Sequence, residues 1–359
     1  MTTTLLDDPG VDDLDHAGHR GRTRWWIGGL TAALGLAVVL AAGLGPVTVP
    51  PMTVLRIIGG HTVGLPDTAD WSTAQDSIVW LVRVPRVLLG ALVGAALAVS
   101  GAVLQTVVRN VLADPHILGV TSGASTGAAV YLLFGVTAAT TTAALAASAF
   151  AGALAATVLL FVIARMNGQL TSLRLLLAGV TIGYIFAAAT SFLVFASDRP
   201  EAARTVLFWL LGSLASAGWA SVATTAAVVA AACLAVLLMA PRLDALAAGE
   251  DTARTLGVAP QRVRLWALLI VALAVGSVVA VAGAIGFVGL IVPHVARLCV
   301  GGTHRQLLVV SALLGALFLV IADVAARTVF APRELPLGIV TAAVGAPLLL
   351  VLIRRLRAS

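Results

Sequence analysis

Residues 241–264 read PRLDALAAGEDTARTLGVAPQRVR, a charged, helix-prone island between two long apolar runs at 207–240 and 265–292. Leu246, Gly249, Ala253 and Leu256 recur at near-helical spacing, so one apolar seam faces one side. Asp244, Glu250, Asp251 and Arg254 face elsewhere, and Gly257 followed by Pro260 is a helix stop. A turn of a few residues would reconnect two membrane spans. A structured, charged segment in that place predicts a surface built to touch something in water, carried by a polytopic membrane protein.

The composition agrees with that reading. The chain is 60% hydrophobic and 11% charged, with a mean hydropathy of +1.05. These values exclude disorder and an ordinary soluble core, because a span needs about 20 apolar residues and many such runs are present. The basic residues are all arginine; no lysine occurs in the sequence. A phosphate-binding G-x-x-x-x-G-K-[ST] loop therefore cannot be built from it, and an ATPase acting on this protein is another chain. Cys233 and Cys299 lie in apolar stretches without metal or redox spacing and read as small buried hydrophobes.

Ten apolar segments are expected, at about 25–45, 84–107, 115–136, 138–164, 173–197, 217–240, 262–282, 286–299, 306–328 and 336–354. The eighth is too short to cross a bilayer upright. Residues 1–24 are polar, mixed in charge and rich in Asp and His, and read as a cytoplasmic tail before an uncleaved first span. Residues 25–359 then form one membrane domain. Ten crossings place both termini on one side. With the termini inside, fifteen arginines (20, 22, 24, 109, 165, 174, 242, 254, 262, 264, 297, 305, 354, 355 and 357) fall inside and seven (56, 83, 86, 199, 204, 327 and 333) outside. The positive-inside rule favours this orientation and puts the island in the cytoplasm. The longest external loop is 46–78, and 197–209 carries a partial helix. Ala98-Val99-Ser100-Gly101-Ala102-Val103 resembles Ala280-Val281-Ala282-Gly283-Ala284-Ile285, a faint sign of inverted repeats.

No constellation of acids, bases or nucleophiles suggests an enzyme. His116, His294 and His304 lie near span ends and read as polar anchors; His16 and His19 make a weak pair in the tail, and no metal site is expected. Asp323 is the single acidic residue well inside a span, a turn from its external end, which argues against ion-coupled transport. Arg83, Arg86 and Arg327 gather at the external side. They read either as interfacial snorkelling residues or as forks offered to the carboxylates of an external partner.

Several segments, taken in order, resemble the FecCD family of ATP-binding-cassette importer permeases for vitamin B12, ferric siderophores and haem. They are Arg83-Val84-Pro85-Arg86, Ser100-Gly101-Ala102-Val103-Leu104-Gln105, Asn110-Val111-Leu112-Ala113-Asp114-Pro115 and Leu118-Gly119-Val120-Thr121-Ser122-Gly123-Ala124. Leu177-Ala178-Gly179-Val180, Phe208–Leu214, Gly283–His294, Ala322-Asp323 and Glu334-Leu335-Pro336-Leu337-Gly338 complete the set, which runs from about residue 50 to the end. The resemblance implies an all-α polytopic fold of the type II importer class, with about ten transmembrane helices in inverted repeats. It implies a bacterial plasma-membrane homodimer with two ATPase subunits below, which bind the ATP and Mg, and an extracytoplasmic binding protein above. No cofactor is implied in this chain itself.

By the same resemblance the island, at about 243–258, holds coupling helices that sit in a cleft of the ATPase, with Leu246, Gly249, Glu250, Arg254 and Gly257 in that role. Arg83, Arg86 and Arg327 match arginines that receive acidic residues of the binding protein. Asn110 and Leu112, with Thr171, Ser172 and Leu173, match the cytoplasmic gate. Relatives carry Asn-Pro where this chain has Asn110-Val111, so a less rigid gate loop is expected. The first expected cargo is a ferric siderophore, then haem or cobalamin, moved by alternating access. An ion-coupled carrier and a structural or receptor protein are the competing classes.

Overall fold

The computed structural model describes residues 11–64, 70–135, 141–165 and 171–358, and every regular element among them is helical. Its elements are α1 (Val11–Gly43), α2 (Pro51–Thr62), α3 (Thr73–Val108), α4 (Val120–Phe134) and α5 (Thr142–Arg165). Then follow α6 (Ser172–Phe195), α7 (Pro200–Leu210), α8 (Trp219–Ala248), α9 (Glu250–Thr255), α10 (Pro260–Ala282), α11 (Val288–Val300), α12 (His304–Thr328) and α13 (Leu337–Ala358). Among the described residues seven helices are long and apolar enough to cross a membrane, and three shorter apolar ones bring the total to ten. These correspond to the ten expected segments. Residue 136 of the third expected segment, residues 138–140 of the fourth and Pro66 lie outside the described residues, as do residues 1–10 and the side chains of His16 and His19.

From Val11 the expected polar tail is helical and runs without a break into the first apolar run. One expectation changes. The 46–78 stretch is not simply a loop. Pro51 opens α2 at a position where a missing N–H costs nothing, and Val54 and Ile57 are buried against Ala42, Val49, Val79 and Val84. Ser72 and Gln75 then form a reciprocal capping box that starts α3 eleven residues before the expected span. Helical structure passes Pro85 because residues 77–83 are wound as a π-helix, with the Val84 amide reaching the Val79 carbonyl. The wider turn accommodates a proline that removes a backbone donor.

α3 is the axis of the bundle, packed on α8, α10, α11 and α12. Small residues allow the approach. Gly94 lies on the Gly315 carbonyl of α12, and Gly101 lies on the Gly289 carbonyl of α11. Gly123 and Gly152 do the same for α4 and α5. Helices in lipid gain from such contact because no hydrophobic force drives them together. The two similar hexapeptides occupy different backbones: Gly101 is mid-helix, whereas Gly283 caps α10 with φ +71°. α11 has 13 residues, about 20 Å at 1.5 Å per residue, and falls short of a bilayer as expected.

Candidate functional site

One end of the bundle gathers the island and the two segments expected to form the gate. α8 carries its apolar character past Pro241 and stops at Ala248. Gly249 then takes φ +132°, a backbone that side-chain-bearing residues rarely adopt, and turns the chain into the six-residue α9. Gly257, with φ +73°, turns it again before Pro260 opens α10. The near-helical spacing thus runs across two helices with a glycine break between them.

The seam divides in the same way. Leu246 is 0% exposed and Ala253 is buried, but Leu256 is 64% exposed and stands outward beside Gly257. The side chain of Leu246, expected at the coupling surface, lies in the core of the chain, and its carbonyl accepts from the Gly249 amide at 3.3 Å and from Arg109 Nη2 at 3.4 Å. The outward surface consists of Asp251, Thr252, Arg254, Thr255, Leu256 and Gly257. Arg254 bonds Asp251 at 2.9 Å and Glu250 at 3.3 Å, pairs at i,i+3 and i,i+4 that brace a helix too short to persist alone.

Glu250 turns its other oxygen inward, to Arg264 Nη2 at 2.6 Å. The guanidinium of Arg264, with help from Arg109 and Arg254, holds this carboxyl below its usual range against the opposing effect of burial. Arg264 is 0% exposed and occupies the α10 face shared with Leu268 and Val271. The same nitrogen lies 3.3 Å from Ser172 Oγ, which also donates to the Val107 carbonyl at 3.4 Å.

The segments at 109–112 and 171–173 therefore adjoin the island. Arg109 ends α3 in the left-handed conformation, with φ 53°. Asn110 Oδ1 accepts from the Leu112 amide at 2.9 Å, and its carbonyl accepts from the Ala113 amide at 3.0 Å. This turn has two internal hydrogen bonds where relatives were expected to use proline. Thr171 caps α6 through the Arg174 amide, Ser172 is half-buried, and Leu173 is exposed.

A buried clamp stands beside them. His304 Nδ1 and its backbone amide meet Asp244 Oδ1 at 2.6 and 2.9 Å, and His304 Nε2 meets Thr106 Oγ1 at 2.7 Å. It joins α12, α8 and α3. The order Thr, His, Asp resembles a hydrolytic triad, but Thr106 also donates to the Ala102 carbonyl inside packed helices. A nucleophile needs access to its substrate, and this hydroxyl has none. His304 is a polar anchor, as read from the sequence.

The opposite end holds Arg83, Arg86 and Arg327, and here the expectation of free forks is corrected. All three are buried, and their donors are taken by the chain itself. Arg83 donates to the carbonyls of Ala42, Gly43 and Val47. Arg86 meets Asp323 at 3.0 Å and makes a bidentate pair with Glu334 at 2.9 and 3.0 Å. Arg327 meets Asp323 at 2.9 Å and the carbonyls of Ala41 and Leu44 at 3.2 Å. Their work in this geometry is to tie the ends of α1, α3 and α12 together. Near that end a cavity of about 280 Å³ is lined by Trp209, Ser213, Ser216, Ser221 and Thr224 with small apolar residues, and no charged side chain lines it.

Sequence reading missed Arg264, Asp244, Thr106 and Glu334 as partners. The signal for Arg264 was present: it stands in phase with Leu268 and Val271, a charge on a buried face. Asp244 and Glu334 carried none, because their partners are 60 and 248 residues away in sequence.

Comparison with known proteins places these features in a family. The model of the FecCD transport family matches residues 33–355. The cobalamin import system permease protein BtuC of Halobacterium salinarum is 44% identical over 81% of this chain and 75% of its own length. The hemin transport system permease protein HmuU of Yersinia pestis is 39% identical over 80% of this chain and 87% of its own. A solved structure described as an inward-facing conformation of a metal-chelate type ABC transporter superposes with a TM-score of 0.79 at 32% identity, covering 92% of this chain and 98% of that one.

Proposed function

The chain belongs to the FecCD transport family, and we propose that it forms the pathway of a plasma-membrane importer for a bulky metal chelate. The observation that carries this reading is the short, outward-facing α9 at the end of the bundle that also holds both candidate gate segments, linked to 171–173 through Arg264, while Arg109 ties the other segment to the end of α8. A separate ATPase subunit docks on Asp251, Arg254, Leu256 and Gly257, with Glu250 and Gly249 fixing the pose from behind. Two copies of the chain enclose the pathway, each served by one ATPase that binds ATP and Mg. The end with α9 and both termini is cytoplasmic, in line with the arginine count. Segments 110–112 and 171–173 form the cytoplasmic gate.

An extracytoplasmic binding protein delivers cargo at the opposite end. Arg83, Arg86 and Arg327 shape that platform from beneath by fixing helix ends. Selectivity resides largely in the binding protein, since the hydroxyl-lined cavity presents no charged group. Among cargoes, the 44% identity to a relative named for cobalamin import favours a corrinoid over the ferric siderophore expected first. Haem and ferric siderophores are the other arms of the test.

The test is uptake by proteoliposomes holding this chain, its ATPase and its binding protein. Vanadate-sensitive accumulation of cobalamin is expected. Accumulation of a ferric chelate or haem instead would replace the corrinoid while leaving the importer intact. Uptake without any ATPase would overturn the importer reading itself.

A further inference from the structure

Four elements converge on one buried side chain. Arg264 projects from the first turn of α10, is 0% exposed, and places Nη2 2.6 Å from Glu250 of α9 and 3.3 Å from Ser172 of α6. Ser172 Oγ in turn donates to Val107 at the end of α3. Burying a guanidinium is costly, and an apolar residue at this core-facing position would pack at least as well. The charge therefore has a use beyond packing, and its partners show which. α9 is six residues long, with Ala253 as its buried side chain. Its attachment to the bundle depends heavily on Glu250, whose pair with Arg264 is directional and short.

We propose that Arg264 is a positioning residue that carries displacement of the 249–257 segment to the 171–173 segment. The inference rests on the reading of these segments as ATPase contact and gate, and adds the residue that connects them. When α9 is pushed or pulled, Glu250 drags the guanidinium, and the guanidinium drags the first residue of α6. Arg109, beside the other gate segment, reaches the Leu246 carbonyl at 3.4 Å and so ties that segment to the end of α8 rather than to α9. An arginine suits the role because the two hydrogens of Nη2 are fixed in the guanidinium plane and so hold two acceptors at a set angle, which the freely rotating lysine ammonium does not.

The experiment uses the reconstituted importer in a background carrying Cys233→Ser and Cys299→Ser, with Leu173→Cys as a reporter alkylated by a water-soluble maleimide. With Arg264 present, ATP and vanadate should change the labelling rate. In Arg264→Gln the ATPase should still copurify and hydrolyse ATP, while cargo moved per ATP falls about tenfold, the size of an ordinary coupling free energy, and labelling stops responding to nucleotide. Ser172→Ala removes one hydroxyl without threatening the fold and should shift both readouts in the same direction by less. It decides the matter if Arg264→Gln does not fold. Wild-type labelling responses and transport ratios in both variants would overturn the proposal. A chain with Arg264 intact that neither retains the ATPase nor responds to nucleotide would instead fail the importer reading, and the inference would fall with it.

Discussion

Glu250 is held ionised by a guanidinium that water does not reach, and the consequence is a pH dependence of known sign. Its folded-state carboxyl titrates below the ordinary value because Arg264 bonds its charged form. The stabilisation is therefore complete above the unfolded value, roughly pH 4.3, and is lost only as pH falls through the lower folded value. Thermal stability of the chain minus that of Glu250→Gln should thus be constant from about pH 8 to pH 5 and shrink at more acid pH. The plateau should be about 2 kcal/mol, below the usual figure for unpairing a buried ion, because Glu250 is part-exposed. A difference that disappears between pH 7 and 6 would show that the pair does not hold α9. Arg254 is another matter: its pairs with Asp251 and Glu250 are surface contacts, so Arg254→Ala should leave thermal stability nearly unchanged. Loss of ATPase stimulation in that variant without loss of stability would mark it as a contact residue, and a wild-type ATPase response would remove it from the coupling surface.

At the scale of elements, α3 sets the tolerance of the bundle. A Cβ on Gly101 would collide with the backbone carbonyl of Gly289, which cannot rotate away as a side chain can. Gly101→Ala should cost about 2–3 kcal/mol and lower the folded yield in detergent. Gly28→Ala in α1 meets nothing within 4 Å and serves as the control. Equal stability of the two variants would mean that α3 and α11 separate more easily than their packing indicates. The positions of α3 and its nine apolar companions were legible in the sequence, because span length and hydropathy are set by the membrane and need no knowledge of partners. The glycine stop at Gly257 was legible for the same local reason. What sequence left hidden was which way a side chain faces across a helix interface. Leu246 and Leu256 belong to one apparent seam, yet Gly249 rotates the second away from the first. Arg86 reads as an exposed fork until Asp323 and Glu334, more than 230 residues downstream, are brought against it.

For the whole molecule, the charge arrangement decides between driving forces. Asp323 is 1% exposed and lies between Arg86 and Arg327, while Glu334 closes the outer face of Arg86. Arg86 and Arg327 are each paired with a carboxylate, and Arg83 is satisfied by backbone carbonyls, which is how three guanidiniums can be buried at one end of the bundle. A proton-carrying carboxylate must be free to exchange its proton during each cycle, whereas both oxygens of Asp323 are engaged by arginines that tie helix ends together. Asp323→Asn should therefore act on folding rather than on energy coupling. It leaves two buried cations with only Glu334 between them and should cost about 3–5 kcal/mol, seen as a lowered unfolding midpoint and poor recovery of folded chain. Uptake by the assembled importer should persist when a protonophore collapses the proton gradient and should stop with vanadate. Were Asp323 a coupling residue, Asp323→Asn would fold normally and transport would follow the gradient. That pair of results would move the energy source from a partner ATPase into this chain, and would assign the cluster at the opposite end from α9 to transport instead of to architecture.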